Sequence, residues 1–121
     1  MRYARVANRS RDRVLGSRVA VADRWWQRLR GLLGRPALRP GEGLLLTPCR
    51  AVHMHGVGFP IDVAFLDRAG VVVSVYPRLA PGARTRWHRR AISALELPAG
   101  TLELSGTSEG DELVASMEES A

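Results

Sequence analysis

Ile61-Asp62-Val63-Ala64-Phe65-Leu66-Asp67-Arg68-Ala69-Gly70-Val71-Val72-Val73-Ser74-Val75-Tyr76 is two apolar runs around a polar tetrapeptide. The runs Ile61–Leu66 and Val71–Tyr76 are rich in β-branched and aromatic residues, and Asp67-Arg68-Ala69-Gly70 has the composition of a hairpin loop. Apolar residues occupy both faces of each run. Such strands belong in the middle of a protein, covered from two sides. The pattern therefore calls for a sheet-based core, with one carboxylate, Asp62, embedded in an apolar strand.

Just upstream, Cys49, His53 and His55 precede a bend, Gly56–Pro60, that leads into Asp62. In an extended segment His53 and His55 share one face, about 6.7 Å apart at their α-carbons, and Cys49 has the same parity. Thiolate, imidazole and carboxylate are the ligands zinc prefers, so Cys49, His53, His55 and Asp62 are the candidate metal set. Pro48 and the Gly56–Pro60 bend break the strand phase, and convergence of all four then needs two backbone coincidences. No metal and no cofactor is expected on that ground. Cys49 with His53 as base and Asp62 as orienter has the composition of a nucleophilic site, but no helix start or glycine turn exposes the thiol. Asp62 admits two roles: it lines a binding depression with His53 and His55, or it accepts loop amides and pins the bend. Glu96, between Leu95 and Leu97, has the pattern of an anchor for a neighbouring loop.

Working outward, Tyr3–Ala7 and Val14–Ala22 read as strands around the polar turn Asn8–Arg13. Asp23 offers a helix N-cap, and Trp25, Leu29, Leu32 and Leu33 recur at helical spacing. Gly34 and Pro36 close this principal helix, near residues 23–34, whose apolar stripe is expected to be buried. Leu44–Leu46 and Ala51–His55 read as strands broken at Pro48. Pro77–Arg90 is the longest irregular stretch. Ile92–Leu97 and Glu112–Ala115 complete the strands, and Thr101–Ser105 fits either a strand or a helical turn. Residues 116–121 read as a frayed tail.

Four segments in this order and spacing resemble the DUF192 family of small bacterial and archaeal proteins. They are Arg30-Gly31-Leu32-Leu33-Gly34-Arg35; Gly41-Glu42-Gly43-Leu44-Leu45-Leu46 with Cys49 and His53; Phe59-Pro60-Ile61-Asp62 through Asp67; and Leu95-Glu96-Leu97-Pro98-Ala99-Gly100 with Gly110-Asp111. The resemblance covers about residues 14–115. It implies a mainly β (α+β), compact, single-domain barrel-like or sandwich sheet with one principal helix. Gly100 and Asp111 fall at turns where a structural role is expected. No activity comes with the resemblance.

Composition bounds the remaining classes. The 121 residues suit one domain, and 45% hydrophobic with 25% charged residues is an ordinary globular balance. The net charge is +6, and all 18 basic residues are arginine; codon bias in a GC-rich genome produces this without functional pressure. The arginines are scattered, with modest clusters at Arg9–Arg13 and Arg84–Arg90. The second cluster surrounds Trp87, an arrangement suited to phosphate contact and base stacking, yet scattered charge is ordinarily a solvated surface. There is no apolar signal-peptide core and no run long enough to span a bilayer, and a lone cysteine suits a reducing compartment, so a cytoplasmic location is expected. These features favour a non-enzymatic module for an unknown small molecule or protein, with its depression near His53–Asp62. A metal-dependent enzyme using Cys49, His53, His55 and Asp62 is the alternative, and nucleic-acid binding through Arg84–Arg90 the second; nucleic acid and membrane are not expected partners.

Overall fold

Seven strands and two short helices appear in the computed structural model, which describes residues 1–118. The strands are β1 (Arg2–Asn8), β2 (Arg13–Ala22), β3 (Glu42–Leu46), β4 (Ile61–Leu66), β5 (Val72–Leu79), β6 (Ser93–Pro98) and β7 (Leu113–Met117). The helices are α1 (Trp25–Arg30) and α2 (Thr101–Ser105). All described strands join one sheet in the order β5-β4-β6-β3-β2-β1-β7. Every pairing is antiparallel except β2 with β3, and that parallel step requires the crossover that carries α1. The protein is mainly β and a single domain, as the resemblance and the chain length imply.

The sheet curls until its edge strands meet. Val71 bridges to Glu112, Val72 donates its amide to the Asp111 carbonyl, and Leu113 donates its amide to the Gly70 carbonyl. At Gly70, φ is +83° and a Cβ would stand 2.5 Å from the Leu113 carbonyl oxygen, so only glycine permits this approach. Asp67 shapes the same hairpin loop by accepting the amides of Ala69 and Val71, each at 2.9 Å.

Curling creates two apolar compartments. Val6, Leu15, Val19, Ala64, Leu66, Leu95, Leu97 and Leu102 fill one, with α2 against it. Leu44, Ile61, Val63, Phe65 and Ala94 face the other. That second face is covered by two extended segments that run antiparallel. Met54 donates its amide to Ala83, Thr85 to Val52 and His88 to Arg50. Val52, Met54, Val57 and Ala91 thus enter the core from the loops. Ala51–His55 is accordingly no sheet strand; its ladder is the single bridge His53–Arg84.

Two expectations need correction. The helix spans only six residues, and its N-cap is Arg24, while the Asp23 carboxylate is engaged by Arg2. Gly31 already closes it, donating its amide to Gln27. Trp25 and Leu29 are 70% and 71% exposed, since the loop residues occupy the space their stripe would have filled; Leu32, past the helix end, is the residue that enters the core. The tail expected from residue 116 is ordered through Glu118. β7 runs through Met117 and the Glu118 amide bonds Tyr3, while 119–121 lie outside the described residues. β5 likewise extends the hairpin to Leu79, into the stretch read as irregular.

Candidate functional site

Strand parity decides which side chains meet. In the β4–β6 ladder Asp62 lies opposite Leu97 and Val63 opposite Glu96; Glu96 is also opposite Leu44 on β3. Directly opposed residues share a face and chain neighbours do not. Asp62 therefore faces the α2 compartment, and Glu96 faces the compartment under the loops. The candidate set Cys49, His53, His55 and Asp62 is not brought together, since Asp62 lies on the other face of the sheet. Among the described residues, no three His, Cys, Asp or Glu side chains stand together as a metal site.

Asp62 is fully buried and fully engaged. One oxygen accepts the Arg78 amide at 2.9 Å; the other accepts Gly100 at 3.1 Å and Leu102 at 2.8 Å. Opposite it β5 is bulged, pairing Tyr76 with Val63 but Leu79 with Ile61. The bulge holds Arg78 at φ +50°, a costly conformation for a side-chain-bearing residue, and the bond to Asp62 secures it. Gly100, at φ +97°, turns its amide to the same carboxylate at the start of α2. Both Asp62 oxygens are engaged, and the side chain faces away from the histidines.

Glu96 is the opposite case. It is 6% exposed, and burial alone acts on its carboxyl, pushing it from 4.5 up to about 7 with no hydrogen bond or counter-charge to oppose the rise. It therefore anchors no loop. Among the described residues no sealed-off side-chain oxygen or nitrogen lacks a partner, so the Glu96 oxygens lie at a cavity surface and not within closed packing. That cavity is a pocket of about 300 Å³ between the sheet, the α1–Leu33 segment and the Pro48–Val57 segment. Leu32, Leu46, Val52 and Val57 supply apolar lining, and Cys49, His53 and His55 line the same space. Trp25 and Leu29 belong to its wall, which explains how apolar side chains so exposed find a common surface. Val52 and Met54 point inward while His53 and His55 point out, the alternation expected of an extended segment.

Cys49 is half-buried and donates to the Ala51 carbonyl at 3.1 Å. Burial is the largest influence on its thiol and pushes it up, which disfavours the thiolate a nucleophile needs. Arg28, on the pocket wall, is tied to the carbonyls of Asp23 at 3.0 Å and Thr47 at 3.4 Å.

The remaining candidates lie elsewhere. Asp111 organises the β1–β2 turn and the loop before β7, accepting from Asn8, Arg11 and the Ser108 amide, each at 3.0 Å. Burial opposes its charge, but these bonds prevail and hold the carboxyl below its usual value. Trp87 is 66% exposed and lines a charged surface with Arg86, Arg89 and Arg90. Next to it His88 is buried, 2.7 Å from the Tyr76 hydroxyl and stacked at 4.4 Å on Phe65; burial first and Arg86 second push its imidazole down. This aromatic cluster was not legible, because Phe65, Tyr76 and His88 are distant in sequence.

The DUF192 profile, described as an uncharacterized ACR, matches residues 6–115. The chain belongs to the DUF192 family. The match begins eight residues earlier than the span of the resemblance at 14–115 and so takes in the end of β1, Val6–Asn8, which pairs with β7. No curated protein matches this family member. Two solved structures share its fold. A protein of Sinorhizobium meliloti 1021, named "putative transcription regulator", is 25% identical with a TM-score of 0.78, over 94% of this chain and 92% of that one. A protein of unknown function from Novosphingobium aromaticivorans DSM 12444 is 20% identical with a TM-score of 0.79, over 93% and 83%. Among the described residues no helix is long and apolar enough to cross a membrane.

Proposed function

We propose that this DUF192 protein is a non-enzymatic binding module whose ligand is a small molecule held in the pocket between α1 and the Pro48–Val57 segment. The observation that carries the reading is Glu96, a buried carboxyl without a protein partner that opens onto apolar walls. A few placed polar groups within an apolar cleft are the usual make-up of a small-molecule site, and about 300 Å³ is the lower end of their range. The depression differs from the one expected at His53–Asp62: it keeps both histidines and exchanges Asp62 for Glu96. A catalytic reading has less support, since burial favours the protonated thiol and Asp62 is buried with both oxygens bonded to backbone amides. Titration with n-hexanol, followed by amide NMR, tests the pocket. Shifts concentrated at Leu32, Val52, His55 and Val57 are the expected result; shifts spread evenly over the surface, or none, overturn it.

A second reading rests on Trp87. Its exposure among Arg86, Arg89 and Arg90, together with the name of the S. meliloti relative, favours nucleic-acid contact at that loop. Binding to duplex or single-stranded DNA that weakens steeply with salt and is lost in Trp87→Ala is what this reading requires.

A further inference from the structure

One group in the α1 pocket has a chemistry that restricts the ligand further, and the restriction rests on the pocket reading. Glu96 is fixed on a central strand, between β3 and β4, so it cannot swing out to water as a loop carboxylate does. Its surroundings are apolar, and none of the protein's ion pairs includes it among the described residues. The guanidinium on the pocket wall, Arg28, is held at two backbone carbonyls instead. A buried carboxylate with no counter-charge is costly, and a cation that donates to it offsets that cost.

We infer that the pocket takes a small apolar molecule bearing a protonated amine, its ammonium seated on the Glu96 carboxylate and its hydrocarbon body against Leu32, Leu46, Val52 and Val57. An ammonium offers three donors and cancels the charge, whereas a hydroxyl offers one donor and leaves the charge uncompensated. A carboxylate or phosphate ligand would place like charges together. The carboxyl's position near 7 agrees with this arrangement: it is poised to lose its proton when a cation arrives. The other titratable or charged groups on the pocket are Cys49, His53, His55, Arg28 and Arg30.

The test compares n-hexylamine, n-hexanol and hexanoate, titrated into the full chain between pH 6 and 8 with amide NMR and calorimetry. Hexylamine is expected to bind tightest and to tighten about tenfold from pH 6 to 8, as the fraction of ionised Glu96 rises. Hexanol is expected to show no such trend. In Glu96→Gln the amine preference is expected to vanish, with hexylamine weakened at least about tenfold and hexanol unchanged. A His53→Ala/His55→Ala double variant is expected to keep the pH trend, which assigns it to Glu96 rather than to the imidazoles. The wild-type titration stands even where a variant folds poorly. Hexanol or hexanoate perturbing the pocket while hexylamine does not, or amine binding indifferent to pH or to Glu96→Gln, overturns the amine assignment and leaves the pocket standing. Silence from all three probes overturns both.

Discussion

Asp62 lies opposite Leu97, one residue past Glu96, so the two buried carboxyls are set back to back on the sheet. Each has almost no exposure, yet one receives three amides and the other none. The same residue chemistry is thus divided between a peg that holds the fold and a group left open to a partner from outside.

Removal of the Asp62 carboxylate should unfold the bulge and loosen the start of α2 together. Asp62→Ala leaves the amides of Arg78, Gly100 and Leu102 without their acceptor, which predicts a loss of about 2–4 kcal/mol in urea unfolding. A variant as stable as the wild type would remove the structural role.

Glu96 should leave a signature in the pH dependence of stability. Its folded value is raised, so the native state holds a proton that the unfolded chain has already lost between pH 4.5 and about 7. The contribution of this group is therefore full below 4.5, declines as pH rises through that window and is exhausted above about 7. The rise from 4.5 to about 7 corresponds to about 3 kcal/mol. His88 acts in the reverse direction: its lowered imidazole withholds stability as pH falls below 6.5. The wild type minus Glu96→Gln difference isolates the carboxyl, and a difference that does not change between pH 4.5 and 7 refutes the upward push of burial on it.

Leu29 and Leu32 should respond oppositely despite lying three residues apart. Leu29→Ala, at an exposed site, is expected to change stability by less than about 0.5 kcal/mol. Leu32→Ala, in the core, should cost about 2–5 kcal/mol. Equal costs would mean that α1 packs through its stripe after all.

Cys49 should behave as a sluggish thiol. With burial holding it protonated, iodoacetamide at neutral pH is expected to label it more slowly than a free cysteine, with the rate climbing as the solution is made alkaline. Labelling faster than the free amino acid at pH 7 would revive a nucleophilic role.

The hairpin Ile61–Tyr76 and the pair β1–β2 were legible because their signals are local: apolar runs, turn residues and alternation within a dozen positions. The burial of α1 was misread for a physical reason. A stripe of Trp25, Leu29 and Leu33 reports which residues are apolar, while what covers the sheet is decided by Val52, Met54, Val57 and Ala91, from segments with no regular structure. Asp62 and Glu96 look alike in sequence, each an acid between aliphatic neighbours. The distinction comes from donors at Arg78, Gly100 and Leu102, which reach Asp62 only after the chain has folded. The parity signal was present, since pairing of the hairpin with Ile92–Leu97 in this register sets the two acids apart, but sequence does not reveal register between distant strands.

The pairing of β1 with β7 carries a consequence for biosynthesis. Ala4 faces Met117 and Asn8 faces Leu113, and buried Asn8 also waits for Thr107 and Asp111 before its amide finds acceptors. A chain that emerges from the ribosome amino end first can close the β1–β2 and β4–β5 hairpins early, yet the outer side of β1 stays an open edge until Met117 has cleared the exit tunnel. Until then that edge is exposed to neighbouring nascent chains, so the docking of β7 on β1 is the step that protects the sheet from aggregation.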